Sequence, residues 1–195
     1  MSDIHSVRAF LESAHHEWND KVASFASREL AERPEPVDDA AGREEARELL
    51  KLMGAAGIFA PIGHRDLRAC CIARELVAAA SPLADAVWAL QGLAITPLLI
   101  AGTDAQRAQW VEPALAGEIM GAFAITEPEA GSDVASMRTR AVLDGDDYVI
   151  EGHKWFISNA GIADYYVVFA STDPDQGSRG ISAFLVPADA EGLTF

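Results

Sequence analysis

The spacing of apolar residues changes near residue 120, and this change restricts the chain to an architecture with two different parts. Before residue 120, apolar residues recur at intervals of three and four, which is typical of helices that bury one face. After it, short runs of β-branched and aromatic residues are separated by turn residues, which is typical of strands. We therefore predict an α+β protein, with an N-terminal α-helical bundle over residues 1–119 and an antiparallel β-barrel-like domain over residues 120–195.

Five helices are predicted in the first part, over residues 4–25, 38–53, 66–80, 82 onward and 103–111. Pro34 and Pro36 end the first helical pattern. Ser81 is predicted to cap the fourth helix, and Thr103 and Gln106 form a capping-box pattern at the start of the fifth. The fourth helix is apolar on nearly all sides, so it should lie at the centre of the bundle.

Six strands are predicted in the second part, over residues 120–125, 138–143, 148–150, 155–158, 165–170 and 181–186. The Asp-Gly-Asp sequence at 144–146 predicts a hairpin turn, and residues 173–180 form a polar loop.

The charge of the chain argues against several classes of partner. It has 15 Lys and Arg residues against 30 Asp and Glu residues, so its net charge of −15 would repel nucleic acid. Any bound phosphate must therefore be held by local donors such as loop amides. The most apolar stretch, residues 84–101, is interrupted by Asp85, Gln91 and Pro97, so no membrane span is expected. The first residues have no basic leader, and a cytoplasmic location is the default expectation.

The cysteine and histidine residues give no sign of a redox or metal site. Cys70 and Cys71 are adjacent, so we interpret both as packing residues on a helix. His15 and His16 have no acidic partner at metal-ligand spacing, and no metal is expected. Lys154, which follows His153, is interpreted as part of a solvated strand end.

Two segments at the start of the second part are suited to binding a small ligand. Residues 123–133 read FAITEPEAGSD, a strand that opens through a proline and a glycine into a loop of free backbone donors. Such a loop suits an anion or a heterocycle. Residues 154–159 read KWFISN, in which two aromatic residues and a serine provide a flat apolar wall with a hydrogen-bonding group. Together, these segments are suited to hold a flavin.

A helical region followed by strands, with these two motifs at the start of the strand region, resembles the acyl-CoA dehydrogenase family. The resemblance covers residues 49–195 and is most specific at GTDAQ (102–106), TEPEAGSD (126–133) and KWFISN (154–159). It implies FAD against the β domain and an acyl-CoA thioester that is desaturated between Cα and Cβ, with hydride transfer to flavin N5. It also implies an electron-transfer flavoprotein as partner and a homotetramer as the assembly.

The resemblance assigns nine residues to the FAD site. They are Phe123, Ala124, Ile125, Thr126, Gly131, Ser132, Phe156, Ile157 and Ser158. Thr126 would bond the pyrimidine edge of the flavin, and the three residues before it would pack along the ring. The same residues, without the motif, would be interpreted as an ordinary strand end and turn.

The remaining assigned residues come from the two loops. Gly131 and Ser132 would approach the pyrophosphate, and Ser132 would also contact the thioester. Phe156 matches the aromatic position beside the flavin, and Ser158 matches a hydroxyl near N5 and O4. Many relatives have tryptophan where Phe156 stands, and Trp155 is adjacent, so the aromatic residue that meets the flavin stays open.

No catalytic residue is predicted within the chain. Glu127 and Asp133 lie in the first motif, but a carboxylate in a turn usually caps backbone amides, and the resemblance implies a structural role for both. The family's catalytic glutamate lies in a C-terminal helical bundle beyond the β domain. We therefore expect an incomplete β domain, an absent C-terminal bundle and an inactive isolated chain, either a truncation or one half of a split enzyme.

Two alternatives to a dehydrogenase stay open. An acyl-CoA oxidase or nitroalkane oxidase would use the same fold and pass electrons to oxygen. A non-catalytic module could bind FAD or CoA, or pair with a partner chain that completes the enzyme. The connection at residues 60–66 is shorter than the loop that is usual in the family, where that loop often borders the acyl pocket.

Overall fold

The computed structural model describes residue 7 and residues 9–195. The chain divides into two compact units, Met1–Met120 and Gly121–Phe195. The first unit is helical, and the second is built on a five-stranded sheet.

Seven α-helices form the described part of the first unit. They are α1 (Ser13–Phe25), α2 (Asp39–Ala55), α3 (Ala60–His64), α4 (Leu67–Ala80), α5 (Pro82–Ala101), α6 (Asp104–Gln106) and α7 (Glu112–Leu115). A π-helical segment, Ala26–Leu30, continues α1, and a second, Arg107–Val111, joins α6 to α7.

Polar side chains at the N-termini explain where several helices begin. The Ser81 hydroxyl accepts a hydrogen bond from the Ala84 amide, which confirms the predicted start of α5. Thr103 and Gln106 form the predicted capping box at the start of α6. Asp66 caps α4 by accepting from the first amides of that helix. These caps satisfy donors that have no partner within the helix.

The long apolar helix α5 lies in the core of the helical unit and contacts α2, α3 and α4. Its buried residues are Ala84, Val87, Trp88, Gln91, Ala94, Ile95 and Leu98. The Trp88 indole donates to the carbonyl of Ile58 at 3.0 Å. By length and hydropathy alone this helix could cross a membrane, but a core helix of a soluble protein has the same pattern.

Parts of the helical prediction are wrong. Helix α1 begins at Ser13 rather than near Ile4, which lies outside the described residues, and Val7 and Phe10 are exposed. The segment treated as a loop contains α3, Ala60–His64. The prediction used local spacing, which does not reveal whether a matching surface exists to cover each apolar residue.

The packing role predicted for both adjacent cysteines holds for only one of them. Cys70 is partly buried, whereas Cys71 is exposed, and both thiols are free. Burial raises the pKa of Cys70 to about 11, so its thiol stays protonated at neutral pH.

A buried histidine connects the start of α1 to the start of α4. His15 is 3% exposed, and its Nε2 lies 3.1 Å from Asp66 Oδ2. The Glu12 amide donates to His15 Nδ1 at 2.9 Å, so Nδ1 is the acceptor and Nε2 carries the hydrogen that faces Asp66. Local sequence does not reveal this contact, because His15 and Asp66 are 51 residues apart in the chain.

The second unit contains five strands in one sheet. They are β1 (Gly121–Ala124), β2 (Arg140–Asp144), β3 (Asp147–Glu151), β4 (Tyr165–Ser171) and β5 (Ile181–Pro187). Strand β4 is mostly buried and is the centre of the sheet.

Strand β4 pairs with three others. It runs antiparallel to β5 over its whole length, and parallel to β1 from Gly121↔Tyr165 to Ala124↔Val168. It also meets β2 in parallel at Arg140↔Ser171. Strands β2 and β3 form an antiparallel hairpin whose turn contains Gly145 at φ +64°.

The antiparallel, barrel-like arrangement predicted for this unit is wrong, because the sheet is mixed and open. Residues 125–164 separate β1 from β4 and contain the β2–β3 hairpin. This long connection allows β4 to run parallel to β1, which a short hairpin turn would not. Alternation of apolar residues identifies a strand but does not reveal its direction, which explains the error.

Candidate functional site

The two sequence motifs lie at the end of β1 and in the connection between β1 and β4, and they line an open pocket of about 360 Å³. Its lining consists of Thr126, Glu127, Pro128, Gly131, Trp155 and Phe156. The first four residues belong to the turn that follows β1, residues 126–131, which we call the Thr126 turn. The other two belong to the Trp155 segment, residues 154–156.

The Thr126 turn is closed by two backbone hydrogen bonds. The Glu127 amide donates to the Ala130 carbonyl at 3.0 Å, and the Ala130 amide donates to the Glu127 carbonyl at 3.2 Å. Gly131 follows this tight turn, and a Cβ atom added there would meet no other atom within 4 Å. The space beside Gly131 is therefore open.

The Trp155 segment is irregular, so the strand predicted for residues 155–158 is wrong. Phe156 has a left-handed backbone, at φ +54°, which is uncommon for an aromatic residue. The Trp155 amide donates to the Thr126 carbonyl at 2.9 Å, which ties this segment to the turn rather than to a neighbouring strand. Composition alone favours a strand here, but this tertiary contact decides the conformation.

Two exposed aromatic rings project from this segment. Phe156 is 85% exposed and Trp155 is 46% exposed, and their ring centroids are 5.5 Å apart. The alternation of a strand would send the two rings to opposite faces, but outside a strand both line the pocket.

A largely buried ion pair joins the two segments that line the pocket. Lys154 Nζ is 2.7 Å from Glu127 Oε1 and donates to the Ile125 carbonyl at 3.1 Å. The two side chains are only 11% and 5% exposed. The interpretation of Lys154 as part of a solvated strand end is therefore wrong.

The Glu127 carboxylate also caps backbone amides, as expected for a carboxylate in this turn. Oε2 accepts from the Arg138 amide at 2.6 Å, and Oε1 accepts from the Thr139 amide at 3.0 Å. Burial alone would raise the pKa of Glu127, but hydrogen bonds from Lys154, Thr139 and Arg138 outweigh it and lower the pKa to about 2.

The two partners of this ion pair respond differently to burial. Burial lowers the pKa of Lys154, and the attraction of Glu127 offsets this only in part. Glu127 has two amides in addition to the ammonium group, whereas Lys154 has one carboxylate and one carbonyl. The carboxylate is therefore ionised with support from several groups, and the ammonium depends mainly on that carboxylate.

The structure brings only some of the predicted site residues together. Thr126, Gly131 and Phe156 line the pocket. The other predicted residues, Phe123, Ala124, Ile125, Ser132, Ile157 and Ser158, are not part of this lining.

The residues outside the lining occupy different surroundings. Ala124 is buried in β1, and the Phe123 ring packs on Phe169 with centroids 4.9 Å apart. Ser132 and Ser158 are exposed, which leaves their hydroxyls accessible.

The sequence reasoning missed the role of Lys154. A signal was available, because each motif contains a charged residue of opposite sign beside the residues assigned to the flavin. Such complementary charges in two segments that the resemblance assigns to one ligand indicate that the segments meet.

Comparison with known proteins identifies the family. Residues 122–195 match the acyl-CoA dehydrogenase middle domain, and residues 12–118 match the acyl-CoA dehydrogenase N-terminal domain. The chain belongs to the acyl-CoA dehydrogenase family. This family membership confirms the resemblance that the motifs indicated.

Relatives of this acyl-CoA dehydrogenase family chain agree along most of its length. A probable acyl-CoA dehydrogenase of Mycobacterium leprae is 40% identical over 190 residues, which cover 94% of this chain and 49% of the relative. The chain thus spans about half the length of the curated relatives it matches.

Solved structures show the same fold. A glutaryl-CoA dehydrogenase from Mycobacterium smegmatis in complex with FADH2 has a TM-score of 0.81 at 28% identity, covering 98% of this chain and 50% of that one. A structure described as the electron transferring flavoprotein of Acidaminococcus fermentans contains a chain with a TM-score of 0.79 at 32% identity, covering 93% of this chain and 50% of that one.

Proposed function

We propose that this chain forms the flavin-binding part of an FAD-dependent acyl-CoA dehydrogenase, which desaturates an acyl-CoA thioester between Cα and Cβ. The observation that carries the proposal is the pocket between the Thr126 turn and the exposed rings of Trp155 and Phe156. Membership of the acyl-CoA dehydrogenase family supports the same reaction class.

The pocket residues fit a flavin. Phe156 exposes 85% of its surface, and such a ring gains burial when a planar heterocycle stacks on it. The open surroundings of Gly131 allow a ligand to approach the backbone closely. The volume of about 360 Å³ lies within the range of small-molecule sites, about 300–1,000 Å³. When bound, FAD supplies the hydride acceptor of the reaction.

Neutral groups of the chain would hold this cofactor. We assign Thr126 to the pyrimidine edge of the flavin, and Gly131 and Ser132 to its pyrophosphate. With a net charge of −15, the chain has to hold the pyrophosphate through local N–H and hydroxyl donors rather than through a general positive field. The exposed hydroxyl of Ser132 is also available to the thioester.

Glu127 is the one carboxylate in the pocket lining, and we propose that it does not take the α-proton. Its pKa of about 2 makes it a poor base, and both of its oxygens already accept hydrogen bonds. Its role is therefore structural.

The wider setting of the reaction is also a proposal. We infer that electrons leave the reduced flavin to an electron-transfer flavoprotein, which the similarity to the Acidaminococcus fermentans structure supports. By analogy with the family, we propose a homo-oligomer. A cytoplasmic location stays the default proposal.

The test is a visible absorption titration of the purified chain with FAD, followed by anaerobic addition of acyl-CoA thioesters. We expect saturable binding with a shifted flavin spectrum, and bleaching by a suitable thioester when the catalytic base is present. A spectrum identical to that of free FAD at all protein concentrations would contradict the proposal. Rapid reoxidation by air after bleaching would favour the oxidase alternative.

A further inference from the structure

The two walls of the pocket come from segments that are far apart in the sequence and lie outside the strands. The Thr126 turn follows β1, and the Trp155 segment follows β3. A backbone hydrogen bond from Trp155 to Thr126 joins them. The distance between the walls therefore depends on contacts other than the β-ladder.

The Glu127–Lys154 pair provides such a contact between the two walls. Glu127 belongs to the Thr126 turn and Lys154 to the Trp155 segment, and their charged atoms are 2.7 Å apart. Lys154 Nζ also donates a hydrogen bond to the Ile125 carbonyl. Glu127 lines the pocket itself, and Lys154 immediately precedes Trp155, so movement of either residue would move a wall.

The same pair anchors both walls to the sheet. Glu127 accepts from the amides of Arg138 and Thr139, and Thr139 immediately precedes β2. Three segments of the chain therefore converge on one carboxylate. Because the pair is buried, its hydrogen bonds are not exchanged readily with water, which favours a fixed geometry.

The backbone of Phe156 indicates that this geometry is enforced. A left-handed conformation persists in an aromatic residue only when its surroundings hold it, and Phe156 itself is largely exposed. Its near neighbours in the chain, Lys154 and Trp155, make the contacts that constrain it.

We propose that the Glu127–Lys154 pair is a positioning element of the pocket, which fixes the spacing between the Thr126 turn and the Trp155 segment and thereby sets the affinity for FAD. The effect on FAD rests on the proposed function. The effect on spacing is independent of it. In this proposal both act through the neighbouring residues that they hold in place, so they are positioning residues rather than catalytic ones.

The test compares Glu127→Gln and Lys154→Met with Glu129→Gln in the full chain. Glu129→Gln is a matched control, because it removes a carboxylate from the same turn, where Glu129 forms an exposed ion pair with Arg138. The measurements are the FAD dissociation constant and the hydrogen exchange of individual amides. We expect the two pair variants to weaken FAD binding about tenfold or more, and the control to leave it unchanged.

Hydrogen exchange separates positioning from general destabilisation. In the pair variants we expect the Trp155 amide to exchange faster while the amides of the β4–β5 ladder keep their protection. The proposal would be overturned if the β4–β5 amides of the pair variants lost as much protection as the Trp155 amide. It would also be overturned if the Trp155 amide exchanged at the wild-type rate. If the unaltered chain binds no FAD, the proposed function fails, and the exchange result alone decides whether the pair fixes the spacing.

Lys154→Arg supplies a second, milder variant. It keeps the positive charge and the capacity to donate to Glu127. We expect it to retain most of the FAD affinity and of the Trp155 protection that Lys154→Met loses. If Lys154→Arg lost as much FAD affinity and Trp155 protection as Lys154→Met, these effects could not be assigned to the ion pair.

Discussion

The Glu127 side chain shows how one buried charge can be stabilised in a strongly acidic protein. It is 7% exposed, yet two amides and one ammonium group hold its oxygens. The ionised form therefore belongs to the folded state, and stability should depend on its protonation.

We expect acid to destabilise the chain through Glu127. Its pKa is about 2 when folded and about 4.5 when unfolded, so the unfolded state binds the proton first. The stabilisation of the folded state by ionised Glu127 is complete above about pH 5. It is lost as the pH falls towards 2, which lowers the free energy of unfolding by about 2–3 kcal/mol. Urea unfolding between these pH values measures it. Glu127→Gln should be less stable at pH 6 and should flatten this part of the profile, whereas an unchanged profile would contradict the assignment.

The hydroxyl of Thr126 is the polar group of the pocket whose loss is simplest to test. Thr126→Val keeps the shape of the side chain and removes the hydroxyl. We expect FAD binding to weaken by about 1–3 kcal/mol, because a flavin atom would lose its buried partner. Flavin titration measures the change. Thr194→Val removes an exposed hydroxyl from the same unit and should have no effect. Equal affinity in both variants would remove Thr126 from the site.

At the scale of elements, α2 contains two glycines with opposite surroundings. A Cβ atom on Gly54 would lie 2.2 Å from the Ala116 carbonyl oxygen, whereas a Cβ atom on Gly42 would meet only Pro36 Cβ at 3.8 Å. The helix therefore packs closely against the end of the helical unit at one glycine only. Both glycines look alike in the sequence.

This contrast predicts opposite effects of the same substitution. Gly54→Ala should destabilise the chain by about 1–3 kcal/mol or more, because the clash involves backbone atoms. Gly42→Ala should be neutral or stabilising by up to about 1 kcal/mol, because alanine favours a helix. Chemical denaturation of the two variants provides the comparison. If Gly54→Ala were as stable as Gly42→Ala, the close approach of α2 to Ala116 would be disproved.

The elements also show which features a sequence can predict. The caps at Ser81 and Thr103 were predicted correctly because capping depends on neighbours three residues away. The His15–Asp66 and Glu127–Lys154 pairs were not predicted, because their partners meet only through the tertiary fold. The conformation of Phe156 was missed for the same reason, since its local composition favours a strand.

At the scale of the whole molecule, the net charge of −15 should oppose the approach of anionic ligands. The screening length falls from about 30 Å at 0.01 M salt to about 8 Å at 0.15 M. We therefore expect FAD to bind more tightly as salt is raised over this range. Riboflavin is a control, because it has the flavin ring without phosphates and should show little dependence. Weaker FAD binding at higher salt would instead indicate a cationic group at the pyrophosphate.

The central position of β4 has a consequence for the time at which the pocket forms. The connection from β4 to β5 is short, but the parallel pairing of β1 with β4 closes the loop of residues 125–164. Closing the longer loop costs more chain entropy, so the β4–β5 hairpin can form before β1 joins it. The Thr126 turn and the Trp155 segment both lie inside that longer loop. During refolding, the capacity to bind flavin should therefore appear only with this late, long-range pairing.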